Sequence, residues 1–202
     1  MKAITAEDLR ALWQAALHSG KRDFAIITLI ATSGVRAGEL VSMNLRQLDL
    51  RQGLAWVNGK RGWRKVFLGK ASVEAILAYL PERPTNGGDA LWLNVKGRPL
   101  TTDGIRQLVD RLAIEANVTG RHNLHAFRHR AAQSWLNRGI NAQIVAKALG
   151  HRASSGCRWP WTQRRGLPAS RRRARRGSGA SACACERRCK LCGPSAPCPS
   201  SP

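Results

Sequence analysis

The sequence changes character near residue 155, and this change limits the part of the chain that can fold. Up to Gly150, apolar side chains recur with helical or strand spacing. Residues 156–202 contain no Ile, Val, Phe, Tyr, Met, Asn, Asp or His, but they hold six of the nine prolines and all six cysteines. Such a segment can bury little apolar surface. We therefore predict a folded domain at residues 1–155 and a disordered basic tail, rich in Cys, Pro and Ser, at residues 156–202.

Apolar spacing before residue 155 predicts a mainly helical domain. A first helix opens after Thr5, which can cap it, and ends at Gly20. The stretch from Asp23 to Ser33 is apolar nearly all round, which predicts a buried central helix. Further helical patterns follow in a short segment through Met43 and in ASVEAILAYL, TTDGIRQLVDRLAIEANV, LHAFRHRAAQSWLNRG and NAQIVAKALG.

Two β-rich runs joined by Gly-Lys-Arg-Gly, in LAWVNGKRGWRKVFLG, predict a β-hairpin. The segment DALWLN is a candidate for one more short strand. We therefore expect an α+β fold, mainly α-helical with a small antiparallel sheet.

The formal net charge of +22 points to a polyanionic partner, most often nucleic acid. Residues 1–155 carry 23 basic and 11 acidic side chains, so +12 of this charge lies in the part expected to fold. No apolar run approaches the ~20 residues of a membrane span, and the N-terminus does not resemble a signal peptide. We therefore expect a cytoplasmic protein with no membrane partner and no small-molecule substrate.

A set of basic side chains without an acidic cluster follows the ends of the apolar segments. It comprises Arg36, Lys60, His125, Arg128 and His151. Such a set suits a phosphodiester, because guanidinium groups grip the non-bridging oxygens while lysine and histidine can move protons. The set contains no Asp/Glu cluster that could hold a metal ion, so we expect no metal.

Three sequence blocks, in order, resemble those of the tyrosine recombinases, the phage-integrase and Xer-like family. TSGVRAGELVSMNLRQLDL is similar to the family's first box, and VNGKRGWRKVFLG is similar to its hairpin with the catalytic lysine. LHAFRHRAAQSWLNRGINAQIVAKALGH is similar to the second box, with His-x-x-Arg and Leu-Gly-His. The resemblance covers nearly all of residues 4–155. It implies a DNA recombinase catalytic domain that breaks and rejoins DNA at specific sites through a 3′-phosphotyrosyl link. The resemblance also implies that this reaction uses no metal and no cofactor.

The resemblance also implies a role for each residue. Arg36 and Arg128 would clamp the phosphate, and Lys60 would be the general acid for the leaving 5′ oxygen. His125 and His151 would donate hydrogen bonds to the phosphate and assist proton transfer. Glu39, which matches the first-box glutamate, would brace the site.

The nucleophile is the main departure from the family pattern. The family's tyrosine lies nine residues beyond the Leu-Gly-His histidine, and Pro160 occupies that position here. The only tyrosine, Tyr79, lies in a helix for which we predict a core position. Because the composition also changes abruptly, we interpret the tail as the product of a shifted reading frame near residue 155.

Two other features affect the expected function. Members of the family usually carry a separate N-terminal helical domain, and we expect this sequence to correspond to the catalytic domain without it. The tail's CACERRCKLC has cysteine spacings that could suggest zinc, but the short spacing leaves little room for a folded knuckle, and we expect no metal.

Three functions remain open at this point. The chain could be a recombinase-family DNA-binding protein that is inactive alone. It could be a non-catalytic remnant or interfering subunit that only binds double-stranded DNA. It could also be a recombinase that receives its tyrosine from another recombinase subunit.

Overall fold

The computed structural model describes residues 3–59 and 62–150. All of these described residues belong to one compact unit. The described α-helices are α1 (Ala6–Ser19), α2 (Lys21–Ser33), α3 (Ala37–Val41), α4 (Lys70–Tyr79), α5 (Thr102–Glu115), α6 (Leu124–Asn137) and α7 (Ala142–Ala148). The described strands are β1 (Leu48–Asp49), β2 (Leu54–Gly59) and β3 (Gly62–Phe67).

Side-chain caps begin three of the longer helices. The Thr5 hydroxyl accepts a hydrogen bond from the Asp8 amide at 3.0 Å at the start of α1. Thr101 and Asn123 cap α5 and α6 in the same way. Each cap satisfies one of the amides that a helix leaves without an internal partner at its N-terminus.

Helix α2 is the centre of the domain, as the sequence predicts. Residues 25–31 of this helix are all buried, and the helix packs against α1, α4 and α6. A helix that is apolar nearly all round is stable only when neighbours cover every face. Its burial therefore places the C-terminal end of α2, at Gly34, against Arg128 and Ala131 of α6.

The predicted hairpin is present. β2 pairs antiparallel with β3 from Leu54↔Phe67 to Gly59↔Gly62, and β1 pairs with the other edge of β2. Because side chains alternate along a strand, Ala55 and Val57 of β2 face the core. The resulting three-stranded sheet beside seven described α-helices confirms the α+β prediction.

Two local predictions were wrong. The helix expected through Met43 ends at Val41. Residues 89–94 form no continuous strand, because their backbone pairs with two different segments. Ala90 bridges to Asn44, whereas Leu93 bridges to Pro99, so neither ladder extends beyond one pair.

Tyr79 lies in the hydrophobic core, as predicted. It is 3% exposed and stacks on Trp92 with ring centroids 5.6 Å apart. Burial raises the pKa of its phenol. A buried, neutral hydroxyl in this position is unavailable to an external substrate.

The longest helices among residues 3–59 and 62–150 have 14 residues. None of these described helices is both long enough and apolar enough to cross a membrane.

Candidate functional site

Three of the predicted site residues line one open cleft of about 410 Å³. Arg36 reaches it from the start of α3, and His125 and Arg128 reach it from α6. The cleft lining also includes Val35, Ala37, Arg106, Val109, Asp110, Asn123 and Leu124. Arg36 thus lines the same space as His125 and Arg128, although about 90 residues separate it from them in the sequence.

The turn at Gly34 brings Arg36 and Arg128 together. Gly34 ends α2 in the left-handed conformation with φ 59°, which favours glycine. A Cβ atom there would lie 2.9 Å from Leu149 Cδ2 and 3.2 Å from Ala131 Cβ, so helix α6 and the end of α7 leave no room for one. The tight turn allows Arg36 to start α3 beside α6.

Arg36 is held by Glu39 on one side and by the end of α7 on the other. Its backbone amide donates to Glu39 Oε2 at 2.9 Å, and its Nη1 donates to Oε1 at 2.8 Å. Its Nη2 donates to the Gly150 carbonyl at 3.1 Å. The side chain is still 45% exposed, so part of the guanidinium faces the cleft.

Glu39 is a buried, charged carboxylate with an exposed fraction of only 2%. Burial raises its pKa, but hydrogen bonds from Arg64 and Arg36 outweigh that effect and lower the pKa to about 2. Such a group is ionised throughout the neutral range and needs cationic partners. Its geometry suits a brace for Arg36, and that role stays a prediction.

Arg128 is the buried member of the arginine pair, with 6% exposure. Its Nη1 donates to the Gly34 carbonyl at 2.6 Å, and its Nη2 donates to the Leu149 carbonyl. Burial lowers the pKa of its guanidinium to about 10, with smaller contributions from the charges of Arg36 and Arg64. Arg128 therefore remains cationic at neutral pH.

His125 is exposed at the rim of the cleft and contacts a second histidine. Its ring meets that of His129 edge to face, with centroids 4.9 Å apart. Burial and the neighbouring His125 lower the pKa of His129, which favours its neutral form. The pairing follows from the spacing of four residues along α6, which places both rings on one face.

Arg64 is a residue of this site that the sequence reasoning missed. It lies on β3, and its Nε and Nη2 donate to the two oxygens of Glu39 at 2.9 and 2.7 Å. Its Nη1 donates to the Ala148 carbonyl at 2.6 Å. The signal that could have found it is strand alternation, since Arg64 shares the inward face of β3 with the buried Val66.

Lys60, His151 and Pro160 lie outside the described residues, so their predicted roles stay predictions. Their described neighbours are close to the site. A Cβ atom at Gly59, the residue before Lys60, would lie 3.0 Å from Glu39 Oε1. Gly150, the residue before His151, accepts the hydrogen bond from Arg36.

Within the described ranges there is no group of three or more His, Cys, Asp or Glu residues that could hold a metal ion. All six cysteines of the sequence lie beyond those ranges.

The sequence is similar to a known protein family and to its members. The Phage integrase family model matches residues 2–159. "Tyrosine recombinase XerC" of Pelotomaculum thermopropionicum is 34% identical over 142 residues, which cover 65% of this chain and 46% of that protein. The chain thus spans about half the length of the curated relatives that it matches.

Solved structures show the same fold. The XerA recombinase superposes with a TM-score of 0.70 at 27% identity, over 76% of this chain and 57% of that one. A lambda integrase dimer bound to a COC' core site has a TM-score of 0.62 at 19% identity, over 75% and 58% of the two chains. Because the family model matches well over half of the sequence, this chain belongs to the phage integrase family, the tyrosine recombinases.

Proposed function

We propose that this chain is a recombinase catalytic domain that binds double-stranded DNA across the cleft. Arg36 and Arg128 would grip one backbone phosphate between them. The observation that carries the proposal is that both guanidinium groups and His125 line the same open cleft. Two forked cations match the non-bridging oxygens of a phosphodiester and stabilise the charge that develops on them.

The remaining roles belong to the same proposal. Lys60 would protonate the leaving 5′ oxygen, and His125 and His151 would assist proton transfer at the phosphate. Glu39 would brace Arg36. The chemistry would require no metal and no cofactor, because the arginines supply the positive charge.

Charge supports DNA as the partner, since residues 1–155 carry a net charge of +12. A similar structure, the lambda integrase dimer, is bound to a core site. We extend both its DNA binding and its association with a second subunit to this chain. The chain would then bind duplex DNA together with other recombinase subunits. The relatives are bacterial, and we place the protein in the bacterial cytoplasm with the nucleoid.

We propose that the chain is inactive alone. Its only tyrosine is Tyr79, which is buried against Trp92. Pro160 stands nine residues after His151, where the family has its nucleophile. The catalytic domain would therefore occupy residues 1–155, and residues 156–202 would derive from a shifted reading frame. The end of the family match at residue 159 supports a boundary in this region.

Two other candidates have observations in their favour. The first is a DNA-binding remnant or interfering subunit, which agrees with a phosphate site that lacks a nucleophile. The second is a recombinase that receives its tyrosine from another subunit, which agrees with the dimer seen for the lambda integrase.

A trapping experiment separates these candidates. The full chain is incubated with a nicked suicide DNA substrate, with and without a tyrosine-bearing Xer recombinase, and covalent adducts are resolved on a denaturing gel. We expect no adduct on this chain. An adduct that maps to any of its residues would refute the proposed inactivity. An adduct on the partner that is lost with Arg36→Ala in this chain would show donation in trans.

A matched pair of variants tests why the chain is inactive. Pro160→Tyr alone should not restore an adduct, because a nucleophile misplaced by ~1 Å can lose ~100-fold in rate. Replacing residues 156–202 with an amphipathic helix that carries a tyrosine nine positions after His151 should restore part of the covalent adduct. Equal adduct from both variants would show that only a hydroxyl group is missing.

A further inference from the structure

Arg64 joins three separate parts of the domain. It projects from β3, donates to both oxygens of Glu39 on α3, and donates to the carbonyl of Ala148 at the end of α7. Its side chain is 17% exposed, and it is absent from the lining of the cleft. Arg64 therefore has the contacts of a residue that supports other residues of the site.

The charge of Glu39 is shared unequally between two arginines. Arg64 donates to it through two side-chain nitrogens, whereas Arg36 donates through one side-chain nitrogen and its backbone amide. A carboxylate this deeply buried must remain paired. Without Arg64, Arg36 is the remaining cation among the described residues that hydrogen-bond to Glu39. The Arg36 guanidinium would then form a full ion pair with Glu39. This ion pair would neutralise the positive charge that Arg36 otherwise presents to the cleft.

The end of α7 connects Arg64 to the same two phosphate-binding candidates. Three successive carbonyls, of Ala148, Leu149 and Gly150, accept hydrogen bonds from Arg64, Arg128 and Arg36 respectively. Carbonyls at a helix C-terminus have no partner within the helix and carry partial negative charge, so cations stabilise them. Arg64 thus holds one end of the short segment against which Arg36 and Arg128 are both placed.

We propose that Arg64 is a positioning residue for DNA phosphate binding. It neutralises Glu39 and holds the turn at residues 148–150, so that Arg36 presents its positive charge to the phosphate. Arg64 itself does not touch the phosphate. The inference rests on the proposed function, because it assumes that Arg36 is a phosphate ligand.

The test is a double-mutant cycle on DNA binding by the full chain. A labelled nicked duplex is titrated by fluorescence anisotropy at several salt concentrations, with Arg36→Ala, Arg64→Met and the double variant. Each single variant should weaken binding by about three- to tenfold and reduce the slope of log Kd against log salt by about 1, the effect of one lost phosphate contact. The double variant should be no weaker than either single variant, because both remove the same contact.

A rescue variant distinguishes positioning from direct DNA contact. Glu39→Gln in the Arg64→Met background removes the charge that captures Arg36. Binding and the salt slope should return to within about twofold of the unmodified chain, and Arg36→Ala should again weaken binding in this background. If Arg64 contacts DNA directly, Glu39→Gln restores nothing and the proposal is refuted.

Controls separate this result from loss of folding and from loss of charge. Arg46→Met removes one positive charge from an exposed ion pair with Asp89, outside the cleft lining, and should change Kd by less than about twofold. Thermal unfolding reports whether each variant folds. If Arg64→Met is unfolded, Arg64→Lys replaces it in the cycle, because lysine keeps the charge but cannot form the two-point contact with Glu39.

The outcomes distinguish the two proposals. Additive effects of Arg36→Ala and Arg64→Met in folded variants would overturn the positioning role and leave the phosphate site intact. No effect of Arg36→Ala in the otherwise unmodified chain would overturn the phosphate site itself, and the role of Arg64 with it.

Discussion

The substitution Glu39→Gln tests the electrostatic structure of the site directly. Four hydrogen bonds from Arg36 and Arg64 converge on this carboxylate, which is 2% exposed. Glutamine keeps the shape and one acceptor oxygen, but its amide group turns N–H donors toward arginine donors. The variant therefore removes the charge and part of the hydrogen bonding while changing little volume.

The expected magnitude follows from the pKa of Glu39. Its carboxyl has an ordinary pKa of 4.5 and a pKa of about 2 in the folded protein. Each tenfold difference in acidity corresponds to about 1.4 kcal/mol, so the ionised form stabilises the fold by about 3 kcal/mol at neutral pH. We expect Glu39→Gln to lower the free energy of unfolding at pH 7 by about this amount.

The pH dependence has a defined sign. Because the folded pKa lies below the unfolded one, the contribution of Glu39 is fully present above pH 4.5 and is lost as pH falls toward 2. The difference in stability between the unmodified chain and Glu39→Gln should therefore shrink to about 1.5 kcal/mol at pH 3. Taking the difference between the two proteins cancels the titration of other carboxyl groups.

Urea unfolding from pH 3 to pH 7, followed by circular dichroism, measures this difference. Glu115→Gln is the matched control, because Glu115 pairs with Arg111 on the surface of α5 and should contribute less than about 0.5 kcal/mol. A difference for Glu39→Gln below about 1 kcal/mol at pH 7, or one that does not narrow toward pH 3, would refute the reasoning.

Two further predictions concern DNA binding and the turn after α7. DNA binding by the full chain should be weak, should decrease steeply as the salt concentration rises, and should show little sequence preference. Anisotropy titrations on unrelated duplexes at several salt concentrations measure all three properties. Tight binding to one sequence that resists salt would contradict it. Gly150→Ala should lower the free energy of unfolding by about 1–2 kcal/mol, because Gly150 has a φ of 66° that disfavours alanine. The same variant should weaken DNA binding, because the new Cβ would lie 3.1 Å from Arg64 Cδ. Gly139→Ala is the matched variant, because Gly139 has a φ of 82° but a Cβ there would have no atom within 4 Å. Urea unfolding should show a similar loss of stability for this variant, and its DNA binding should be unchanged. Equal weakening of DNA binding by both variants would contradict the role of crowding at Arg64.

The sequence by itself determined the elements whose signals are local. The caps at Thr5 and Thr101 and the nearly all-round apolar surface of α2 each depend on residues close together in the sequence. The strand pattern of the hairpin is equally local, and the predicted hairpin is present in the structure. The order and spacing of the three motif blocks were sufficient to predict the family. Local propensity and periodicity specify such features before any tertiary contact forms.

Only the tertiary structure decided which polar groups meet. Residues 89–94 have a strand-like composition, but they form no continuous ladder. Each of the two segments beside them makes only a single β-bridge to this stretch. The pairing of Arg64 with Glu39 joins residues 25 apart, and its bond to Ala148 joins residues 84 apart. No local pattern encodes partners at those separations.

The candidate site shows the same division. His125 and Arg128 share a helix, and a spacing of three residues places both on one face of it. The approach of Arg36 to Arg128 depends on the Gly34 turn and on the packing of α2 against α6. The sequence therefore determined which residues carry positive charge. The close-packed core determined which of them share a buried carboxylate, because only folding places them within hydrogen-bonding distance of it.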